Sequence, residues 1–360
     1  MRILIDATSL LLRSAGIKTY TYHWIQNLRQ QAGNDEILTF PRISKLAALN
    51  HERSILSPAQ TYPRLALLYA ANLLPMLPVL RWMTAGADVF HVSTQIWDPP
   101  RNTKLTATIH DMTGQLMPEL HTPGNVKAEA TFAANVLRRA DRLIAVSENT
   151  RTDAVRVLNL APDRIEVIYS GISEVYFGAE ARPSERPYVL FVGTIEPRKN
   201  IDTLLDAWQG FRLNHDFDLL IAGATGWASE KTLERLTSRP PPGVRYLGYV
   251  PEGELPGLTA GATAFVYPSL YEGFGFPVAQ AMAAGVPVIT SNTSCLPEVA
   301  GDGALLVDPR SPGEIQAALE KLLTAPALQR QLGAAGRERA QQYRWETCAR
   351  RSLEFFRRVG

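Results

Sequence analysis

Two clusters in the second half of this 360-residue chain combine charge with glycine in the way that anion-binding loops do. The first, Gly193-Thr194-Ile195-Glu196-Pro197-Arg198-Lys199, follows the apolar run Tyr188–Val192 and precedes a helical stripe at Ile201, Leu204, Leu205 and Trp208. A loop between a strand and a helix offers backbone N–H groups and a positive helix end to an anion. Arg198 can fork onto phosphate oxygens, and Lys199 can add a compact positive charge. Cations at a helix start oppose its macrodipole, so this placement needs a reason beyond solvation. The second cluster is Tyr271-Glu272-Gly273-Phe274-Gly275-Phe276-Pro277, after the run Ala264–Val266. Pro277 fits the first helical turn, and Val278–Ala284 reads as a short apolar helix ending at Gly285. Gly273 and Gly275 therefore stand where the backbone can approach a ligand closely. A carboxylate at Glu272 would accept hydrogen bonds from vicinal hydroxyls, or else serve the helix dipole.

Other chemistries find less support. Asp216-Phe217-Asp218 has a D-x-D form, but it precedes its apolar strand and reads as a strand start. No His, Cys and acidic cluster has metal-ligand spacing, so neither a metal nor a cofactor is expected. No carboxylate pair stands out as a glycosidase-type acid/base couple. His91, inside Val89–Val92, reads as structural. Cys295 and Cys348 make no disulfide framework, which favours a reducing compartment.

The elements that must position these loops alternate as strands and helices. In the first half the strand candidates are Arg2–Ile5, Ile37–Phe40, Val89–Val92, Leu105–Ile109, Leu143–Val146 and Ile165–Ile168, with helical patterns at Lys18–Arg29 and Asn125–Ala140. In the second half they are Tyr188–Val192, Phe217–Ala222, Val244–Leu247, Ala264–Val266, Pro287–Thr290 and Ala304–Val307. Asn200 is placed to cap the helix that follows it. Such alternation predicts parallel sheets with crossover helices, and the length predicts two domains. The architecture expected is α/β: two facing, doubly wound Rossmann-like domains, with ligands at the carboxyl ends of strands lining an interdomain cleft. Residues 1–170 form the first domain and 188–342 the second. The stretch 171–187, rich in Gly, Pro and charge, reads as the linker.

Composition narrows the partners. The net charge of +2 argues against nucleic acid. It is uneven, roughly +4 over the first ~170 residues and roughly −2 over the rest. The N-terminus reads as a first strand without a signal peptide, so a cytoplasmic protein is expected. The apolar run between Arg64 and Arg81 is shorter than the ~20 residues a membrane span needs and is broken by Pro75 and Pro78. It reads as a buried helix, or as one resting on a bilayer.

Taken in order, the motifs resemble the large retaining glycosyltransferase family 4, whose fold is called GT-B. The matching stretches are Val192-Gly193-Thr194…Arg198-Lys199-Asn200, Leu247-Gly248-Tyr249-Val250, Tyr267-Pro268-Ser269…Glu272-Gly-Phe-Gly-Phe-Pro, Ala281–Ile289, and Leu296-Pro297-Glu298-Val299…Val307-Asp308-Pro309. The resemblance is dense from Tyr188 to Pro309 and thinner in the first half. It implies that Arg198 and Lys199 neutralise a donor diphosphate, with Gly193 in the same loop. It implies that Glu272 contacts the transferred sugar, while the N–H groups of Phe274 and Gly275 seat its hydroxyls. Tyr249 and Val250 would lie beside the nucleobase. In the first half His110 matches a histidine that reaches the sugar, against the plainer reading of a satisfied strand-end histidine. Gly16 matches a glycine loop near the diphosphate. Trp345-Glu346 resembles the start of a last helix, about 343–360, that crosses back to the first domain.

One position departs from the pattern. The family's E-x7-E signature ends in a glutamate that binds ribose hydroxyls, and here that position is Gln280. An amide can still accept from one hydroxyl and donate to the other, but it forfeits a charge-assisted bond. The resemblance implies metal-independent hexosyl transfer with retention, the leaving phosphate helping to deprotonate the acceptor. The forms around Arg198 and Glu272 resemble bacterial mannosyltransferases of surface-polysaccharide synthesis. They imply GDP-mannose as donor and a glycan or lipid-linked acceptor, with peripheral contact to the inner membrane, and leave UDP- and dTDP-sugars open. Two alternatives are a nucleotide-sugar 2-epimerase on the same fold and a non-catalytic nucleotide-sugar-binding homologue.

Overall fold

A computed structural model of the chain describes residues 1–73, 79–94, 96–212 and 215–360. All twelve apolar runs form strands, and every pairing between them is parallel. Their near-continuous apolar character follows from burial on both faces, as in Val189, Leu190 and Phe191.

The chain divides into two compact units, Met1–Gly171 with Trp345–Gly360, and Ile172–Arg344. The first holds β1 (Arg2–Asp6), β2 (Glu36–Phe40), β3 (Val89–Val92), β4 (Lys104–Ile109), β5 (Arg142–Ala145) and β6 (Ile165–Val167), in the order β2-β1-β3-β4-β5-β6. The second holds β7 (Tyr188–Val192), β8 (Asp218–Ala222), β9 (Val244–Gly248), β10 (Ala264–Tyr267), β11 (Val288–Ser291) and β12 (Ala304–Val307), in the order β12-β11-β10-β7-β8-β9. In that order the winding reverses between β7 and β10, and in the first sheet between β1 and β3. Open α/β sheets bind ligands beyond the carboxyl ends of strands at such points.

The last helix, Trp345–Val359, belongs to the first unit. Its buried Trp345, Cys348, Ala349, Ser352 and Phe356 recur at helical spacing. It packs on the helix Gly16–Gln31, where Trp24 Nε1 donates to Ser352 Oγ at 2.9 Å in a buried setting. Arg357 pairs with Asp35 at 2.8 Å and Arg358 with Glu166 at 2.5 Å.

Three local expectations are revised. The first part of the stretch read as a linker is attached chain, since Ile172 and Tyr176 are buried and Ile172 bridges to Arg344, whereas residues 181–187 are exposed and Arg182 N donates to Gly257 O at 2.9 Å. It lacks periodicity because isolated contacts, and one short helix at Glu174–Phe177, hold it to the second unit. Asn200 stands at the helix start, its Oδ1 accepting from Thr203 Oγ1 at 2.7 Å and its carbonyl from Leu204 N at 3.4 Å, but it is not a cap of the ordinary kind. Its backbone is left-handed at φ 58°, and its amide donates to Pro268 O at 3.0 Å and Pro309 O at 2.6 Å, stitching three loops together. The apolar run of the first half begins in a helix, Pro58–Leu73, that is only partly buried, since Tyr62 and Tyr69 are exposed. Pro75 and Pro78 lie outside the described residues. Among the described residues, no helix is long and apolar enough to cross a membrane.

Candidate active site

The two loops singled out by their residue types meet because β7 and β10 are neighbours. The loop after β7 turns through Pro197–Lys199 and enters the helix Ile201–Arg212. The loop after β10 enters the helix Phe276–Ala283. Leu270 N donates to Arg198 O at 2.9 Å, and Ser269 Oγ lies 3.1 Å from the same carbonyl, so the two loops are joined by backbone as well as by charge.

Between them lies a buried set of two cations and two carboxylates. Arg198 reaches Glu272 Oε2 at 2.9 Å through one terminal nitrogen and Glu196 Oε1 at 2.8 Å through the other. Lys199 Nζ lies 2.5 Å from Glu272 Oε1. That oxygen also accepts from Ser269 Oγ at 2.7 Å and Tyr267 Oη at 3.0 Å. Lys199 donates to Tyr267 Oη at 2.8 Å. Charges this deep survive only when paired and hydrogen-bonded, and these are. Burial would raise the Glu272 carboxyl, but the charges of Arg198 and Lys199, with the Lys199 and Ser269 hydrogen bonds, outweigh it and hold it at about 2. Glu272 is therefore ionised throughout the neutral range and arranges cations without trading protons. Glu272 stands at the mouth of its loop in contact with both Arg198 and Lys199.

The glycine loop ends in a helix start built for close approach. Gly275 is left-handed at φ 80°, and its Cβ position lies 2.7 Å from Leu296 Cδ2, so a side chain fails there on backbone and on space. Phe274 is buried against Phe276 and Tyr343. Among the described residues, neither Phe274 N–H nor Gly275 N–H has a hydrogen-bond acceptor, which leaves two donors at a positive helix end. At the other end of the helix, Gly285 at φ 77° closes it, Val286 N bonding Ala281 O at 3.0 Å. Gln280 is half-buried on this helix and makes no side-chain hydrogen bond among the described residues. Gly193 follows β7, its N–H donating to Ala222 O at 2.9 Å. Tyr249 and Val250 follow β9 at the sheet edge, with Tyr249 exposed and Val250 half-buried.

The remaining candidates sit in the first unit. His110 directly follows β4, packs edge-on against Tyr20 with centroids 4.9 Å apart, and has a buried Nε2 without a hydrogen-bond partner among the described residues. Burial lowers its pKa to about 4 despite the nearby Asp111, so the ring is neutral. His91, by contrast, is satisfied by Thr106 and Thr108 hydroxyls, each at 2.9 Å. Gly16 opens its helix, and a Cβ there would meet open space. Asp6 ties the loops after β1 and β3, accepting from Thr8 N at 3.0 Å and from Ser93 N and Thr94 N at 3.3 Å each.

Glu196, Tyr267 and Ser269 were not among the expected site residues. All three stood inside the quoted motifs, but only the adjacency of β7 and β10 shows what they hold. Asp216 and Asp218 are paired with arginines: both meet Arg186, Asp216 also meets Arg212, and Asp218 also meets Arg245. Among the described residues, no group of three or more His, Cys, Asp or Glu stands close enough to hold a metal ion.

Comparison with known proteins gives this geometry a family. Residues 173–339 match the family of glycosyl transferases group 1, and residues 14–175 match Glycosyltransferase Family 4. O-antigen chain mannosyltransferase B of Escherichia coli is 33% identical over 283 residues, covering 75% of this chain and 74% of that protein. The serotype-specific mannosyltransferase WbdA of the same species is 28% identical over 332 residues, 86% of this chain but 39% of WbdA. Among solved structures, sucrose-phosphate synthase from Thermosynechococcus elongatus superposes with a TM-score of 0.78 at 22% identity, covering 100% of this chain and 99% of that one. With two Rossmann-like sheets and a buried cationic pair at the switch point of the second, this chain belongs to the family 4 glycosyltransferases of the GT-B fold.

Proposed function

We propose that this glycosyltransferase moves mannose, with retention and without a metal, from GDP-mannose to a glycan or lipid-linked acceptor in surface-polysaccharide synthesis. The observation that carries the reading is the pair Arg198 and Lys199, held beside Glu272 at the carboxyl ends of β7 and β10. Breaking a sugar–phosphate bond builds negative charge on the departing phosphate, and fixed cations in a water-poor setting stabilise it without reorganising. Arg198 and Lys199 are fixed in this way by Glu196, Glu272, Tyr267 and Ser269. The N–H groups of Phe274 and Gly275 take the sugar hydroxyls, and His110 serves the sugar as an uncharged hydrogen-bonding group. Gly193 and Gly16 leave room for the diphosphate, Tyr249 and Val250 border the base, and Gln280 bonds the ribose. An ionised, fully bonded Glu272 supplies no proton, so the leaving phosphate receives the acceptor's proton from the same face. Mannose and the polysaccharide setting rest on what the relatives named above act on.

The test is direct. Purified protein is incubated with GDP-mannose, UDP-glucose and dTDP-rhamnose, each with a mannosyl oligosaccharide acceptor, with and without a chelator. GDP-mannose should give an elongated product whose new linkage is α by NMR, unaffected by the chelator. Product from another donor alone would reassign the sugar. A β linkage would overturn retention, and loss of activity with the chelator would overturn metal independence.

A further inference from the structure

The loop that leads into Gly16 is clamped by a lysine that the proposed sugar chemistry does not use. Lys18 lies in the first turn of the helix Gly16–Gln31, and its side chain is fully buried. Its ammonium donates to Leu12 O at 2.6 Å and to Arg53 O at 2.8 Å. One acceptor precedes the helix and the other lies 35 residues beyond Lys18, so a single group joins two distant segments. Neighbouring bonds follow the same seam. Ser14 N donates to His51 O at 3.2 Å, and Ile55 N donates to Leu10 O at 3.1 Å. Thr19 Oγ1 and His51 Nε2 lie 2.9 Å apart, and Arg13 pairs with Glu52 at 3.2 Å.

A lysine at this place is costly. Burial takes an ammonium out of water, and both of its acceptors are uncharged carbonyls rather than carboxylates. Its charge stands at a helix start, where it opposes the macrodipole, and no acid in the first turn offsets it. Burial lowers the Lys18 ammonium to about 8, with the charge of Glu52 offsetting part of the effect, so it is charged at neutral pH. Burial, with Lys18 beside it, lowers His51 to about 4, so that ring is neutral. Methionine has a similar length and none of these costs, but it cannot donate to two carbonyls. The loop needs those bonds because it has little else to fix it. A Cβ at Gly16 would meet nothing within 4 Å, and Ala15 gives the helix no side-chain cap.

We propose that Lys18 is a positioning residue for the donor: by holding Leu12 and Arg53 to one point, it fixes the loop at Gly16 in the shape that receives the diphosphate. This rests on the reading above that the Gly16 loop borders the diphosphate. Lys18 acts through backbone carbonyls and touches no substrate.

The experiment compares wild-type chain with Lys18→Met by hydrogen exchange, steady-state kinetics and calorimetry with GDP. The variant should exchange Ser14 N–H and Ile55 N–H about tenfold faster, because the seam that protects them loses its buried clamp. Its KM for GDP-mannose and its Kd for GDP should rise about tenfold, with kcat and the acceptor KM within about twofold of wild type. A lysine that serves stability alone would lower kcat through a smaller folded fraction and leave both KM values unchanged, and that pattern would overturn the proposal. Thr19→Val removes one bond of the same seam and keeps the test open if Lys18→Met does not fold. It should raise the donor KM about threefold, and an unchanged value would overturn the proposal equally. Wild-type protein that binds no GDP would sink the diphosphate reading and the proposal with it. GDP bound equally well by wild type and Lys18→Met would leave that reading standing and remove the role of Lys18.

Discussion

Replacing Glu272 by Gln removes the anion that Arg198 and Lys199 share while keeping the side chain's size. The carboxyl's ordinary value is 4.5, and in the folded chain it lies at about 2, because the two cations outweigh the effect of burial. That difference corresponds to about 3 kcal/mol of folding free energy near neutral pH. It agrees with the roughly 3–5 kcal/mol lost when one member of a buried ion pair is removed. The sign follows from the direction: the folded value lies below the unfolded one, so the stabilisation is complete above the unfolded value and is lost as pH falls toward the folded one. Urea unfolding near neutral pH should place Glu272→Gln about 3 kcal/mol below wild type, and the gap should narrow by ~1 kcal/mol on moving to about pH 3.5. A nucleoside diphosphate should stabilise the variant more than wild type, since its phosphates restore negative charge beside Arg198 and Lys199. A gap below about 1 kcal/mol, or one that does not change with pH, would refute the account of the buried cluster.

Other expectations concern single groups. Arg198→Ala and Lys199→Ala should each lower kcat/KM by roughly 100- to 1,000-fold, as when a preorganised donor is removed from a transition state; steady-state rates that match wild type would end their leaving-group role. Gln280→Glu should tighten nucleotide binding about fivefold by restoring a charge-assisted bond to ribose, and calorimetry showing weaker binding would reverse that reading. Burial keeps His110 neutral down to about pH 4, so the wild-type rate profile between about pH 5 and 8 should carry no inflection that His110→Gln removes. Ser352→Ala leaves Trp24 Nε1 buried and unpaired, which should cost ~1–3 kcal/mol; an unaltered melting temperature would show that the bond adds nothing to stability.

Much of the fold was legible because it is written in local pattern. The run Tyr188–Val192 and the stripe Ile201, Leu204, Leu205, Trp208 announce a strand and a helix from their own residues, since periodicity depends on neighbours in sequence. The glycine at 275 and the proline at 277 likewise announce a helix start, because backbone conformation there depends on residue type. Asn200 shows the limit of local reading. By sequence it is a cap, and its Oδ1 does accept from Thr203 Oγ1, but its amide donates to carbonyls of Pro268 and Pro309, which only the folded sheet brings near.

Residue type and spacing determined the alternation of strands and helices, the family, and the candidacy of Arg198, Lys199 and Glu272. They did not determine that Glu196, Tyr267 and Ser269 complete one buried ion cluster, or that Tyr62, Tyr69 and Trp82 stay outside the core beside helix residues that enter it. Those outcomes depend on which strands lie side by side and which helix side the sheet covers. Both are decided when segments far apart in the chain pack together, and a charge this deep keeps its ionised form only because that packing delivers its partner.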